Sequence, residues 1–223
     1  MPERDGTLSL LEFGFRSGGW LVISTAVDTN HYLDLNGRDF ATYWAARPGA
    51  LRSTVERKGK KSPVEIIIHD RFDAVAWADY ESVYAQSWKP SEGMPDFLRA
   101  LAETEGAAGA LRLGIAKKDG RPVAAQFWTV DNGTAYIHKL AHVRDEDGTS
   151  PGTLLSAAMF RHVIDRDKVQ EIDFGTGDEA YKRGWMELQS PLYQVDMFNL
   201  KKPQAWLPAI RESLSHLWKS RSK

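Results

Sequence analysis

The 223-residue chain contains no cysteine. This absence excludes disulfides, thiolate nucleophiles and cysteine-ligated zinc sites. A charge excess is also missing, because 29 basic residues stand against 30 acidic ones. We therefore expect no general electrostatic attraction to nucleic acid, and no nucleic-acid partner.

Long apolar runs are missing as well. The N-terminal residues MPERD lack the basic stretch and apolar run of a signal peptide, and no stretch approaches the ~20 apolar residues of a transmembrane helix. These features favour a cytoplasmic protein. The eight tryptophans are expected mostly to fill the core or a groove, and they leave peripheral membrane contact open.

The composition is that of a folded domain, with 42% hydrophobic and 26% charged residues. The Ser62-Pro63 pair is a natural break, so we predict an N-terminal fragment (1–62) that packs on a core domain (63–223). The elements expected in the fragment are a helix at Leu8–Phe15, strands at Trp20–Thr25 and His31–Leu35, a helix at Asp39–Ala46 capped by Asp39, and a basic helix at Leu51–Lys61.

Two dipeptides in the second part suit tight hairpin turns, Asp119-Gly120 and Asn132-Gly133. They would join strands at 111–115, 122–130 and 134–142 into an antiparallel meander. Before the meander, Val64–Ile68 is expected to be a buried strand, and Asp70 to cap the helix that follows it.

The meander leads into a β-α-β unit. A helix that begins near Pro151 would cross over to a strand at Glu171–Phe174, and such a crossover makes the two strands parallel. The expected fold is therefore α/β, with a mixed sheet. A closing helix is expected from Pro208, with four apolar residues turned inward: Ile210, Leu214, Leu217 and Trp218.

This order of elements resembles that of the GNAT acyltransferase superfamily. Three segments more specifically resemble the cellulose-biosynthesis-type acetyltransferases: Arg47–Arg52, Ser150–Gly152 and Asp173–Lys182. The chain departs from the family pattern in two ways. It keeps only part of the N-terminal half of such proteins, and its phosphate-binding loop is reduced to Gly152 and a helix start. The resemblance implies a GNAT fold with a splayed strand edge.

The resemblance also implies a binding site for acetyl-CoA or a longer acyl-CoA. Pantetheine would pair with the strand edge at Leu140, Ala141 and His142. The pyrophosphate would meet the helix start, where unpaired N–H groups and the helix dipole favour an anion. The residues expected there are Ser150, Gly152, Thr153 and Leu154, and Gly152 would allow close approach of the backbone.

The catalytic candidates follow from direct transfer of the acyl group to an acceptor. By the resemblance, Tyr181 is the acid that protonates the departing thiolate. His138 and Asp173 are the preferred candidates for the base, and period-2 alternation places His138 and His142 on one face of their strand. Lys139, Asp178 and Lys182 are expected to contact the acceptor.

The predicted function is acyl-CoA-dependent N-acylation of a small or envelope-linked acceptor, which could be a lipid or a sugar, with no metal. No metal-ligand spacing occurs on a helix, and no phosphate-binding loop of the nucleotide-binding type is present. Two alternatives stay open: a Fem-type aminoacyl transferase that uses aminoacyl-tRNA, and a non-catalytic GNAT-fold binding protein. A homodimer that completes the acceptor groove also stays open.

Overall fold

The computed structural model describes residues 6–62 and 64–221. The α-helices in these residues are α1 (Thr7–Ser17), α2 (Phe40–Ala45), α3 (Gly49–Lys61), α4 (Ala74–Ala85), α5 (Pro95–Ala108), α6 (Pro151–Arg161), α7 (Lys182–Trp185) and α8 (Trp206–Arg221). The strands are β1 (Trp20–Asp34), β2 (Glu65–His69), β3 (Leu111–Lys118), β4 (Arg121–Asp131), β5 (Thr134–His142), β6 (Glu171–Thr176) and β7 (Leu188–Asn199). A 3-10 helix at Arg144–Thr149 precedes α6, and a π-helical turn at His162–Arg166 follows it.

The chain divides into two compact units. The larger unit comprises Tyr32–Gly175 and Ala180–Glu187, and the smaller one comprises residues up to His31, Thr176–Glu179 and residues from Leu188 onward. The predicted boundary falls at Pro63, which lies outside the described residues. The larger unit includes residues on both sides of that position, so the division into 1–62 and 63–223 stays a prediction.

The larger unit is built on a mixed sheet. Its strands follow the order β2-β3-β4-β5-β6, with the end of β1 beyond β6. The pairs from β2 to β5 are antiparallel and the pair β5–β6 is parallel. The predicted meander and β-α-β unit are therefore confirmed. In the smaller unit, β7 follows β1 in the strand order.

Both hairpins turn where the sequence predicts. Asp119 and Gly120 have φ angles of 50° and 77°, and Asn132 and Gly133 have 46° and 78°. Two consecutive left-handed residues match the right-handed twist of the strands they connect, and Asp, Asn and Gly tolerate this conformation best. The turns fix the register of β3, β4 and β5, which carry the site described below.

Helices cover the two faces of this sheet. On one face, α6 packs through Leu155, Met159 and Phe160, all fully buried. Helix α6 comes close to the backbone of β3 at Gly114, where an added Cβ would lie 2.5 Å from the Met159 sulfur. On the other face, α4 and α5 supply a second core that includes Trp77. We call these faces the α6 face and the α4/α5 face.

Three local predictions are wrong. The cap of α4 is Asp73, whose carboxylate accepts the N–H groups of Val75 and Ala76, and not Asp70. Strand β2 lies at one end of the strand order and is only half buried, because β3 is its only pairing partner among the described residues. The two short strands expected between Trp20 and Leu35 form the single strand β1.

The prediction for the closing helix is also wrong in orientation. The helix starts at Trp206, and Ile210, Leu214 and Trp218 are 58%, 63% and 78% exposed. The side chain of Leu217 lies outside the described part of the chain. Periodicity identifies an apolar stripe on α8, but it does not say what covers the stripe. Within residues 6–62 and 64–221, no helix has the length and apolar character to cross a membrane.

Candidate functional site

Strands β5 and β6 separate after a short parallel ladder. The ladder joins Thr134–Tyr136 to Glu171–Asp173, and within the described residues it does not continue along β5. On its other edge β5 stays paired with β4 as far as His142. The edge of β5 from Ile137 to His142 therefore faces an opening, and its backbone groups on that side are available to a ligand.

A register shift in β5 decides which side chains face the opening. Trp128 pairs with Ile137, whereas Phe127 pairs with Lys139, so His138 is the extra residue of a bulge. A bulge reverses the alternation of side chains beyond it. Ile137 accordingly belongs to the core of the α6 face and Ala141 to that of the α4/α5 face. The prediction that His138 and His142 share a face is wrong for this reason.

A cavity of about 610 Å³ lies at this opening. Its walls come from β5, the start of α6, the end of β6, the region of α7 and the start of α3. Among the lining residues are Leu140, His142, Ser150, Gly152, Thr153 and Tyr181. The volume is in the range of small-molecule sites, roughly 300–1,000 Å³.

The start of α6 forms one wall of the cavity. Pro151 has no N–H, and the N–H groups of Thr153 and Leu154 both donate to the Ser150 carbonyl. No acceptor for the Gly152 N–H is found within the described residues, so it is the N–H of this turn that can serve a ligand. A Cβ at Gly152 would lie 3.1 Å from His142 Nδ1, which shows how closely the two residues approach.

The charges near this wall are mixed. His142 Nε2 lies 2.6 Å from Asp147 Oδ1, and the His142 ring lies 4.5 Å from the ring of Trp88. Lys58 of α3 donates to the Gly148 carbonyl, which brings a cation to the loop before α6. An anionic group at Gly152 would therefore meet a helix N-terminus and a nearby lysine, with Asp147 as the opposing charge.

A polar cluster lies on the α4/α5 face of the same opening. His138 Nε2 lies 2.8 Å from Thr129 Oγ1, and its ring contacts Phe127. The pKa of His138 is lowered from its ordinary 6.5, first because the surrounding protein displaces water from the ring and then because of the Lys139 cation. The Asp173 carboxylate opposes this shift without cancelling it. Because the pKa stays below 6.5, the imidazole is mostly neutral near pH 7.

Asp173 faces the same side as His138. Its neighbours Ile172 and Phe174 belong to the core of the α6 face, and alternation in β6 turns Asp173 the other way. The Asp173 carboxylate also accepts the Gly175 N–H at 2.7 Å. The two residues preferred as base are thus brought to one face of the opening, and their catalytic role stays a prediction.

The residues expected to contact the acceptor are placed differently from one another. Lys139 pairs with Glu92 at 2.7 Å and does not line the cavity. Lys182 is only 4% exposed, with Nζ 5.5 Å from the centre of the Phe174 ring. Asp178 belongs to the smaller unit, where its Oδ1 lies 3.0 Å from His31 Nε2.

The residues expected to bind CoA fall into two groups. Those that line the cavity are Leu140, His142, Ser150, Gly152 and Thr153. Ala141 and Leu154 are buried at 1% and 7% exposure and do not line it. Tyr181 is 46% exposed, lines the cavity and meets the Phe174 ring edge-on at 5.7 Å.

Aromatic residues of the wall were missed by the sequence analysis. Trp88 and Trp185 both line the cavity, together with Pro48 and Leu51, which the sequence did not single out as site residues. Trp88 stands alone in a loop, and no pattern around it indicates a site. Within the described residues, no group of three or more His, Asp or Glu side chains could hold a metal ion.

A network of charged and polar side chains holds the backbone at Trp185, which lines the cavity. The Trp185 carbonyl accepts from Tyr43 at 2.9 Å and from Arg47 at 3.1 Å. Arg47 is buried and forms an ion pair with Glu187, which also pairs with Arg38 at 2.7 Å. Hydrogen bonding from Arg38 lowers the pKa of Glu187 against the opposing effect of burial, and the Arg47 charge adds to the decrease.

We expect Glu187→Gln to lower the free energy of unfolding by about 2 kcal/mol, because it leaves the buried Arg47 without its counter-charge. A lowered carboxyl pKa stabilises the fold above the ordinary value of 4.5, and this contribution disappears as the pH falls through the folded-state pKa. Urea titrations at pH 7 and below pH 4.5 should thus show a variant deficit that shrinks in acid. The control Glu56→Gln, in an exposed pair with Lys60, should behave as wild type at both pH values. A loss of unfolding free energy in Glu187→Gln that is equal at both pH values would contradict a stabilising role for the Glu187 charge.

One family model matches the chain. It is described as an acetyltransferase (GNAT) domain and matches residues 49–183, which run from α3 into α7 and include the cavity-lining residues from Ala50 to Tyr181. No curated protein matches the chain in sequence.

Solved structures with the same fold are distant in sequence. FemX matches with a TM-score of 0.69 at 11% identity, over 94% of this chain and 72% of its own. The C-terminal domain of a protein assigned as a lysylphosphatidylglycerol synthetase in Agrobacterium fabrum matches with a TM-score of 0.60 at 13% identity, over 92% of this chain and 69% of its own. A tandem GNAT protein of the clavulanic acid biosynthesis pathway matches with a TM-score of 0.51 at 14% identity, over 88% of this chain and 60% of its own. At these identities the likeness shows the fold.

Proposed function

The chain belongs to the acetyltransferase (GNAT) domain family, and we propose that it is an acyl-CoA-dependent N-acyltransferase. The acyl group, acetyl in the first instance, passes directly from the thioester to an amine of a small or envelope-linked acceptor. The observation that carries the proposal is the cavity at the unpaired edge of β5, with the start of α6 as one wall.

The residues of the cavity fit an acyl-CoA. Pantetheine carries amide groups, which can pair with the free backbone edge between Ile137 and His142 as an added strand would. The diphosphate then lies near Gly152, where the helix dipole and Lys58 favour an anion. The absence of a side chain at Gly152 leaves the room that a phosphate needs.

The bulge at His138 separates the donor from the acceptor. The CoA cavity is lined from the α6 face by His142, while His138 and Asp173 lie on the α4/α5 face. The amine approaches from the second face and attacks the thioester carbonyl, so that the C–N bond forms and the C–S bond breaks. The tetrahedral oxyanion takes a hydrogen bond from a backbone N–H of Leu140 or Ala141.

Proton transfer is assigned to two side chains. His138 accepts the proton of the amine at Nδ1, which requires the tautomer that carries a proton on Nε2 and donates it to Thr129. Its lowered pKa keeps the ring neutral and able to accept a proton near pH 7. Tyr181, which lines the cavity, protonates the departing thiolate.

A thermal shift experiment tests the function. A ligand at one hundred times its dissociation constant stabilises a protein by about 2.7 kcal/mol, which for this chain length is roughly 5–10 °C. We expect a shift of that size with acetyl-CoA and a smaller one with an equal concentration of adenosine. No shift at millimolar acetyl-CoA or longer acyl-CoA would contradict the proposal and favour a non-catalytic binding protein.

Replacing Tyr181 with phenylalanine should slow turnover without weakening binding. We expect kcat to fall about tenfold, a modest loss because a thiolate is a stable leaving group that needs only partial help from an acid. The dissociation constant of acetyl-CoA, measured by calorimetry, should stay at the wild-type value. Tyr193→Phe in β7 is the matched control and should change neither quantity. A loss of binding in Tyr181→Phe would assign this residue to the ligand and not to the chemistry.

Aminoacyl transfer of the Fem type is the second candidate function. The fold likeness to FemX favours it, whereas the charge balance of −1 gives little attraction for tRNA. The same acceptor amines presented with acetyl-CoA and, separately, with aminoacyl-tRNA distinguish the two. Product formed only from aminoacyl-tRNA would replace the acyl-CoA proposal with this one.

A further inference from the structure

Helix α8 presents an apolar face that is largely exposed in the described part of the chain. Trp206, Leu207, Ile210, Leu214 and Trp218 are between 54% and 78% exposed. At 100° per residue these positions fall within an arc of roughly 120° on the helix surface. Monomeric proteins rarely expose a continuous apolar face of this kind, and such faces typically mark sites of contact with another protein or a membrane.

The smaller unit fixes the orientation of this face. Ala209, on another side of α8, is only 3% exposed and holds the helix to the unit. Trp206 Nε1 donates to the Leu200 carbonyl at 2.9 Å, which anchors the first turn. An apolar groove of about 320 Å³ runs beside Ile210 and Leu214. The exposed arc is therefore held outward by packing and a hydrogen bond.

Charge indicates the chemistry of the partner. Residues 201–223 contain six basic residues and one acidic residue, Glu212, a net charge of +5 in a chain whose total is −1. The basic residues of this segment are Lys201, Lys202, Arg211, Lys219, Arg221 and Lys223. Tryptophan and leucine on one side of a helix, with lysine and arginine around them, are typical of helices that lie in the plane of a membrane surface.

We infer that α8 binds the surface of a membrane that contains anionic lipids. Leu207, Ile210 and Leu214 enter the acyl-chain boundary, and the tryptophans lie at the level of the headgroups. The basic residues of the segment add attraction to anionic headgroups. A face-to-face contact between two copies would instead bring two segments of +5 together, which opposes self-association through this face. The inference is independent of the acyl transfer proposed above.

Vesicle sedimentation tests the inference on the full chain. We expect wild-type protein to bind vesicles of phosphatidylcholine with 30% phosphatidylglycerol about tenfold more strongly than vesicles of phosphatidylcholine alone, which carry no anionic headgroups to attract the basic segment. The difference should shrink in 0.5 M salt, because salt screens the attraction. If the wild-type protein sedimented equally weakly with both kinds of vesicle, this result alone would overturn the inference.

Two substitutions then locate the binding on α8. The double variant Leu207→Ser/Leu214→Ser should bind the anionic vesicles at least tenfold more weakly, because two apolar side chains no longer enter the membrane. The control is Val75→Ser on α4, an apolar residue that is 71% exposed in the larger unit, and it should bind as wild type. Circular dichroism verifies that both variants keep the wild-type helix content.

Other outcomes would replace the inference. Unchanged vesicle binding in the double variant would place the membrane contact elsewhere. Concentration-dependent dimerisation that the double variant abolishes, without vesicle binding, would identify the partner as a second copy. Salt-sensitive binding to RNA, without vesicle binding, would identify a nucleic acid.

Discussion

Gly152→Asp abolishes the thermal stabilisation by acetyl-CoA and raises its dissociation constant by at least about 100-fold, which corresponds to 2.7 kcal/mol. This is the expected result for two reasons. A Cβ at this position lies 3.1 Å from His142 Nδ1, so the side chain fills the room at the start of α6. Its carboxylate also places a negative charge where the diphosphate would lie. The fold itself should persist, because an acidic residue in the first turn of a helix is favourable.

Two further variants make the Gly152 experiment specific. Gly152→Ala adds the crowding without the charge and should weaken binding less than Gly152→Asp. Gly93→Asp introduces the same carboxylate at a glycine where an added Cβ would meet no atom within 4 Å and which does not line the cavity, and it should bind acetyl-CoA as wild type. If calorimetry gave Gly152→Asp the wild-type affinity for acetyl-CoA, the diphosphate would not bind at the start of α6.

His138→Ala should lower kcat by about 10³-fold, within the range of general acid–base catalysis, with acetyl-CoA binding unchanged. The side chain packs on Phe127 of the α4/α5 face and does not line the cavity, so we expect its loss to affect the proton transfer and not the binding of the donor. The wild-type kcat/KM should decrease on the acid side of pH 6.5, since the pKa of His138 is lowered from that value and the protonated ring cannot accept a proton. This acid limb should be absent in the variant.

Conservative and distant variants separate catalysis from packing at His138. His138→Gln can still form a hydrogen bond with Thr129 but cannot act as base, so it should be as slow as His138→Ala. His69→Ala, at the end of β2, should keep wild-type activity. An acid limb that persists in His138→Gln would assign the base to another group, of which Asp173 is the first to test.

Local sequence signals predicted the parts of the fold that depend on neighbouring residues. The two Gly-containing dipeptides fixed the hairpins because their left-handed conformation is a property of those residues. The turn at Asn132-Gly133 likewise sets the start of β5, and Pro151 marks the start of α6 because its fixed φ suits the first helical position. These elements alone place the opening and the helix start, so much of the cavity proposed to bind acyl-CoA could be predicted from the sequence.

Features that depend on distant residues were not predictable. The bulge at His138 arises from the register between β4 and β5, and the residues of β5 taken alone give regular alternation. His138 and His142 were therefore assigned to the same face. The exposed face of α8 is a similar case, because periodicity gives the stripe and only packing decides its orientation. Trp88 reaches the cavity through the fold of a loop that has no pattern of its own.

We propose above that the free edge of β5 and the start of α6 together hold an acyl-CoA. Hydrogen–deuterium exchange with and without saturating acetyl-CoA tests it at the residues concerned. We expect slower exchange in peptides that cover Ile137–His142 and Gly152, because the edge amides and the Gly152 N–H gain acceptors from the ligand. Unchanged exchange in both peptides, with bound acetyl-CoA protecting another part of the chain, would contradict it.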